Sequence, residues 1–258
     1  MSEGPPSQQL LTGLQERAAH AHPAEEVEQR GGWWLRHAPG CTWWVGTALP
    51  HRDDDPGELL WRVGGVEQFY AARGAAAGFQ ITPGACPGRL DILLAQRRYR
   101  RHSPISLQVA PTGRVLERDA TESGPPRVRV EGRPTSEWFE VWEAVTGSAA
   151  DPRAEWDMLE RVDRPSAYVS AYEGHDVVAV GRGVADTGWA GVFSMATRPE
   201  ARRRGAGRNV LAALVDWAGA RDAHRMFLQV ECGNVAALHL YEQMGFTELC
   251  RYHYRSAR

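Results

Sequence analysis

Lysine is missing from this chain: all 30 side chains of the lysine-plus-arginine class are arginine. That excludes a P-loop, whose Gly-Lys-Ser/Thr end needs the ammonium. High-GC codon usage, which favours arginine and alanine together, is one cause of such a bias. Cysteine is sparse. Cys41, Cys86, Cys232 and Cys250 lie far apart with no C-x-x-C pair, which argues against a zinc site, a redox motif or a disulfide framework and for free thiols in a reducing compartment. No metal is expected. Long apolar runs are absent too, and the opening "MSEGPPSQQLL" has no basic segment leading into an apolar one, so no membrane partner and a cytoplasmic location are expected. Nor is there a surplus of positive charge: 32 acidic residues leave a net charge of -2. A nucleic-acid partner is therefore disfavoured.

What is present fits a globular protein, with 43% hydrophobic and 24% charged residues. A length of 258 residues suits two moderate domains. We read residues 1–30 as a polar segment with a short amphipathic piece around Leu10 to Leu14. Residues 31–118 read as a small α/β domain, 119–126 as a Pro- and Gly-rich linker, and 127–258 as a second domain. In the first domain "GGWWLRHAPGCTWWVGTALP" reads as a hairpin of two Trp-rich strands. A helix follows at "ELLWRVGGVEQFYAARG", then the strand "GFQIT", the helix "GRLDILLAQRRY" and the strand "PISLQVA". The second domain opens on the strand "RVRVE", continues with helices at "TSEWFEVWEAVTG" and "DPRAEWDMLERV", then three strands ending in "GWAGVFSMAT". After these come a helix with Val210, Leu211, Leu214, Val215 and Ala218 on one face, the strand "MFLQVE", the helix "NVAALHLYEQM" and a last strand "GFTELCRYHYR".

The loop "RPEARRRGAGRN" joins a strand ending at Thr197 to a helix starting near Gly207. Unpaired N–H groups at a helix start, at the positive end of its dipole, suit a diphosphate. Gly205 and Gly207 let the backbone approach closely, and the arginines add charge. A run of three arginines is by itself also compatible with a solvated surface. A Rossmann site needs a third glycine where Val210 stands.

These residues resemble the GNAT superfamily of acyl-CoA-dependent N-acyltransferases. "RRRGAG" fits its R/Q-x-x-G-x-G/A signature, and "NVAALHLYEQMGF" fits its second motif at the expected separation. The resemblance covers roughly residues 127–258. It implies a mixed, splayed β-sheet flanked by helices and acetyl-CoA as co-substrate. It further implies that the backbone of Met195, Ala196 and Thr197 pairs with the pantetheine arm. Arg202, at the R/Q position, and Arg203, Arg204, Gly205, Ala206, Gly207 and Arg208 would form the pyrophosphate cradle, Asn234 would contact the coenzyme, and Tyr241 would protonate the departing thiolate. The last role has independent support, since a hydroxyl near the sulfur eases expulsion of a thiolate, and seven residues of helix put Asn234 and Tyr241 on one side. Alternatively Tyr241 is a core aromatic. Glu231, ending "LQVE", is the leading base, acting directly or through water, or else a solvated strand-end charge. Gln229 shares its face. His239 and His253 read as structural.

"EQFYAARGAAAGF" faintly echoes the C-terminal helix-then-Gly-Phe pattern, which points to a degenerate GNAT copy in the first domain and a tandem layout with one live site. Trp33, Trp34, Trp43 and Trp44 read as core residues, or as part of an acceptor pocket at the domain junction. The missing lysine would also spare an acetylating enzyme from modifying itself. The expected activity is acetyl transfer to a primary amine of a small molecule. The alternatives are a protein or aminoacyl-tRNA amine as acceptor, or an acyl-CoA-sensing module without turnover. A homodimer is compatible with the sequence.

Overall fold

In a computed structural model of the chain, residues 5–51, 58–119, 127–147 and 150–257 are described. Local chemistry sets several helix ends. Helix α1 (Gln8–Ala21) starts where Ser7 Oγ accepts a hydrogen bond from the N–H of Leu10 at 3.2 Å, and it buries Leu11, Leu14, Ala18 and Ala21. The amphipathic piece expected near Leu10 is thus a full helix. Helix α5 (Ser136–Thr146) is capped by Thr135 and ends at Gly147, whose φ of 52° only glycine adopts cheaply. Asp151 caps α6 (Pro152–Glu160), with proline in its first turn. The others are α2 (Leu59–Ala71), α3 (Leu90–Gln96), α4 (Thr112–Asp119), α7 (Ala206–Gly219) and α8 (Val235–Gln243). Helix α4 has no counterpart in the sequence reading.

The strands are β1 (Glu26–Arg30), β2 (Trp33–His37), β3 (Gly78–Ile81), β4 (Arg100–Pro111), β5 (Arg127–Glu131), β6 (Ser166–Glu173), β7 (Asp176–Asp186), β8 (Trp189–Thr197), β9 (Arg225–Glu231) and β10 (Thr247–Ser256). Eight of them form one mixed sheet in the order β3-β10-β4-β9-β8-β7-β6-β5. Every neighbouring pair is antiparallel except β8 and β9, which run parallel. Strand β4 precedes the expected linker yet lies between β9 and β10, so strands from 31–118 and 127–258 share a sheet. Of that linker, residues 120–126 lie outside the described residues.

Both faces are covered. On one face α7 buries Val210, Leu211, Leu214, Val215 and Ala218, the stripe read from the sequence, against Val169, Val192, Leu228 and Val230. Each of the valines and leucines contributes roughly 2 kcal/mol by leaving water. On the other face α1 packs over Ile105, Leu107, Phe193, Phe227 and Tyr252. Beside it α5 and α6 pack over Tyr168, Val177 and Val180.

The Trp-rich hairpin is corrected by the structure. Strand β2 pairs with β1 (Arg30 opposite Trp33, Glu26 opposite His37), and Trp43–Gly46 is a short 3-10 turn. A single bridge from Trp34 to Leu49 is all that joins the two tryptophan runs as strands. The cause is Arg36, which is buried on β2 and needs acceptors. Its Nε donates to the carbonyl of Thr47 at 2.9 Å and its Nη2 to that of Trp44 at 3.3 Å, drawing the second run into a turn around the guanidinium.

Candidate functional site

Strands β8 and β9 pair from Trp189 opposite Arg225 only as far as Val192 opposite Leu228. Beyond that β8 runs on to Thr197 and β9 to Glu231, and the facing edges part. Backbone groups left so must find a ligand or water. The parting is built into β8. Its ladder to β7 goes from Phe193 opposite Arg182 to Ala196 opposite Val180, and Ser194, with φ of 53°, sits in the resulting bulge with Met195. Gly181 makes the room: a Cβ there would lie 2.5 Å from Met195 Sδ and 2.6 Å from Val210 Cγ1.

Beyond Thr197 the chain makes one 3-10 turn, Pro199–Ala201, and enters the arginine loop. Arg203 (φ 61°) and Gly205 (φ 85°) are both left-handed, and Gly205 precedes α7 without any side-chain cap. The N–H groups of the first turn of α7 thus face outward as a ready anion site. Gly207 holds the helix start close to its neighbours, since a Cβ there would be 3.3 Å from Thr197 Oγ1 and 3.7 Å from Leu240. Arg202 ties back to the strand through Nε to the Thr197 carbonyl at 3.3 Å.

One cleft of about 820 Å³ gathers most of the predicted residues. Met195, Ala196 and Thr197 form one wall, Arg202, Arg203, Gly205, Ala206, Gly207 and Arg208 one end, and Asn234, Tyr241 and Glu231 the remainder. Arg204 is the exception and a correction. It turns away to an exposed ion pair with Glu173 at 3.0 Å and does not line the cleft. Residues the sequence reading did not name also line it, among them Phe193, Ser194, Leu240 and Val145. Strand alternation could not have found Phe193, because the bulge leaves it on the α1 face and Met195 on the α7 face. Nothing in a serine announces a left-handed bulge.

Asn234 caps α8, its side-chain oxygen accepting from the N–H of Ala237 at 3.2 Å, which leaves its amide nitrogen for a ligand. Tyr241, seven residues on, is 6% exposed and packs edge-on to Phe246. Burial pushes its hydroxyl up to about 12, so the proton stays in place at neutral pH. The hydroxyl bonds none of the described residues, while the ring is part of the α7 core. Glu231 ends β9 opposite Ile105, exposed to solvent. Met226, Leu228 and Val230 enter the α7 core, so Gln229 and Glu231 take the opposite face. There Gln229 Nε2 donates to Gln15 Oε1 of α1 at 3.0 Å. His239 bonds Gln243 on the exposed side of α8 and His253 bonds Asp91 at 2.8 Å; neither lines the cleft.

An uncapped helix start at one end, an unpaired strand edge along the wall, and a hydroxyl with a carboxylate beyond match a long thioester that carries a diphosphate. Gly205 and Gly207 keep the backbone at the start of α7 free of side chains. Among the described residues no helix is long and apolar enough to cross a membrane, and no group of three or more metal-ligating side chains is assembled.

Comparison with known proteins agrees. A family model described as "Probable histone acetyltransferase Rv0428c C-terminal" matches residues 11–255. The uncharacterized N-acetyltransferase YobR of Bacillus subtilis (strain 168) is 27% identical over 246 residues, 95% of this chain and 98% of that protein. A GCN5-related N-acetyltransferase from Kribbella flavida superposes with a TM-score of 0.71 over 98% of this chain and 96% of its own, at 17% identity. A tandem GNAT protein from the clavulanic acid biosynthesis pathway gives 0.68 over 98% and 90%, at 14%. The fold is that of the GNAT acetyltransferases, and the chain belongs to the Rv0428c C-terminal acetyltransferase family.

Proposed function

We propose that this acyltransferase moves the acetyl group of acetyl-CoA to the primary amine of a small molecule, by direct attack of the amine on the thioester. The free edge of β8 from Phe193 to Thr197 would align the thioester arm in the manner of an added strand. The α7 start, with Arg202, Arg203 and Arg208, would hold the diphosphate, and the amide of Asn234 would steady the arm. As the C–N bond forms and the C–S bond breaks, Tyr241 supplies a proton to the leaving sulfur. Glu231, directly or through a water, takes the proton the attacking nitrogen must shed. A small acceptor is favoured because α1 is packed across the face on which Glu231 lies, tied down through Gln15 to Gln229 and to Thr82 Oγ1 at 3.1 Å.

The observation that carries this reading is the convergence in one cleft of the unpaired β8 edge, the uncapped α7 start and the Tyr241 hydroxyl, which bonds none of the described residues. Calorimetric titration with acetyl-CoA, alongside thiol release with a panel of amines, tests it. Tyr241→Phe is expected to bind acetyl-CoA like the parent chain and to lose about 100-fold or more in kcat. Failure of the parent chain to bind acetyl-CoA would sink the reading.

A further inference from the structure

A second bulge lies at the same end of the sheet. Tyr252 stands opposite Ile105 but Tyr254 opposite His102, so one extra residue of β4 is accommodated around Ser103, whose φ is 47°. Strict alternation would send His102 to the α7 face. The bulge instead brings it to the face that holds Ile105, Tyr252, Tyr254 and Glu231. There the ring of Trp43 lies 4.8 Å from His102 and 4.8 Å from Tyr254. Trp43 is 46% exposed, a large aromatic surface left open to solvent.

The shelf is held rigid. His102 Nε2 bonds Ser256 Oγ at 2.9 Å. The turn carrying Trp43 is gathered by the buried Arg36 through the Trp44 and Thr47 carbonyls, and Tyr70 Oη donates to the Arg36 carbonyl at 2.9 Å. Burial first, and then the charge of Arg100, holds His102 below its usual pKa, which makes it a neutral ring beside an exposed guanidinium. Because Ile105 faces Glu231, the shelf begins about 10 Å along β4 from that carboxylate, and Arg100 lies about two residues further.

The coenzyme helices occupy one face of the sheet, so an amine reaching a thioester between β8 and β9 comes from the other, where this shelf lies. Resting on the function proposed above, we propose that Trp43, His102 and Tyr254 form the acceptor subsite, and that the acceptor is a primary amine on a short arm from a planar aromatic body ending in an anionic group. The amine would meet Glu231, the ring would lie on Trp43, and the anion would meet Arg100.

Three probe amines test this: para-(aminoethyl)benzoate, its methyl ester, and an aliphatic amino acid of equal length. The benzoate is expected to have the highest kcat/KM. Trp43→Ala should raise its KM about tenfold with kcat within about twofold, Trp43→Phe should restore most of the loss, and Arg100→Gln should raise KM for the acid but not for the ester. Unchanged acetyl-CoA binding by calorimetry shows that each variant is folded. Equal kcat/KM for the three amines, an unmoved KM in Trp43→Ala, or acetyl-CoA binding with none of the three acetylated, each overturns the subsite and leaves acetyl transfer standing. No binding of acetyl-CoA to the parent chain overturns the function beneath it.

Discussion

At Gly181 one missing methyl group decides where the β8 bulge can sit. The contacts that a Cβ would make there, with Met195 and with Val210 of α7, are far inside van der Waals distance, and β7, β8 and α7 have no slack to share. Gly181→Ala is expected to cost roughly 1–3 kcal/mol in urea unfolding and to weaken acetyl-CoA binding, because Met195 must move. Gly183 is a useful contrast, its nearest contacts being 3.0 Å to Leu214 and 3.1 Å to Trp217, on the same strand but away from the bulge. Gly183→Ala should lower stability without a matching loss of acetyl-CoA affinity. An equal effect of both substitutions on binding would show that the bulge does not position the thioester wall. This scale also shows what a sequence conceals. Gly205 and Gly207 advertise a phosphate loop because glycine is the residue that permits it, whereas Ser103 and Ser194 hold the same kind of backbone with a residue that signals nothing. Arg204 could not be told from Arg203 without Glu173, which is distant in sequence.

Between elements, the seam of α1 with the sheet carries a second polar contact besides that of Gln15 with Gln229. Arg182 of β7 is fully buried, and its Nη2 lies 2.7 Å from His22 Nε2, while His22 Nδ1 lies 3.0 Å from the Ala18 carbonyl. A guanidinium only donates, so His22 accepts at Nε2 and carries its proton on Nδ1. Burial, then the Arg182 charge, drives the His22 pKa well below its ordinary value. Unfolding returns it to about 6.5. Below that pH the unfolded chain takes up a proton that the folded chain refuses. The His22 contribution is therefore complete above about pH 6.5 and is lost toward the folded pKa, by up to about 1.4 kcal/mol per pH unit. Glu155, raised by its own burial, works in the opposite sense. Thermal unfolding of the parent chain and of His22→Gln between about pH 7 and pH 5 isolates the histidine, and the variant should show the flatter decline. Parallel curves would mean that the imidazole is not the source. Elements with a strong period, such as α5, α7 and β6 to β9, could be read in advance. The first hairpin could not, because β1 is the polar "EVEQR" with an almost wholly exposed pattern, and Arg36 redirects the second tryptophan run.

For the molecule as a whole, the position of β4 matters most. It supplies pairing for Ile105 through Pro111 against β9 and, on its other edge, the partner of β10. Residues 127–258 carry both signature motifs, yet without β4 they would expose two unsatisfied strand edges beside the cleft. That segment alone is expected to aggregate or to lack a cooperative thermal transition. Retention of full acetyl-CoA affinity by the segment would contradict this. Local periodicity carried the identity and order of most strands, but a strand inserted from the other half of the chain leaves no local mark, since its hydrophobic alternation would suit any neighbour. The same interleaving fixes an order of events during synthesis. β4 leaves the ribosome well before β9 and β10 exist, and more than a hundred residues separate it from β10, on the order of ten seconds of translation. Until β9 is made β4 has both edges open, and the sheet that frames the cleft is complete only when β10 covers the second edge.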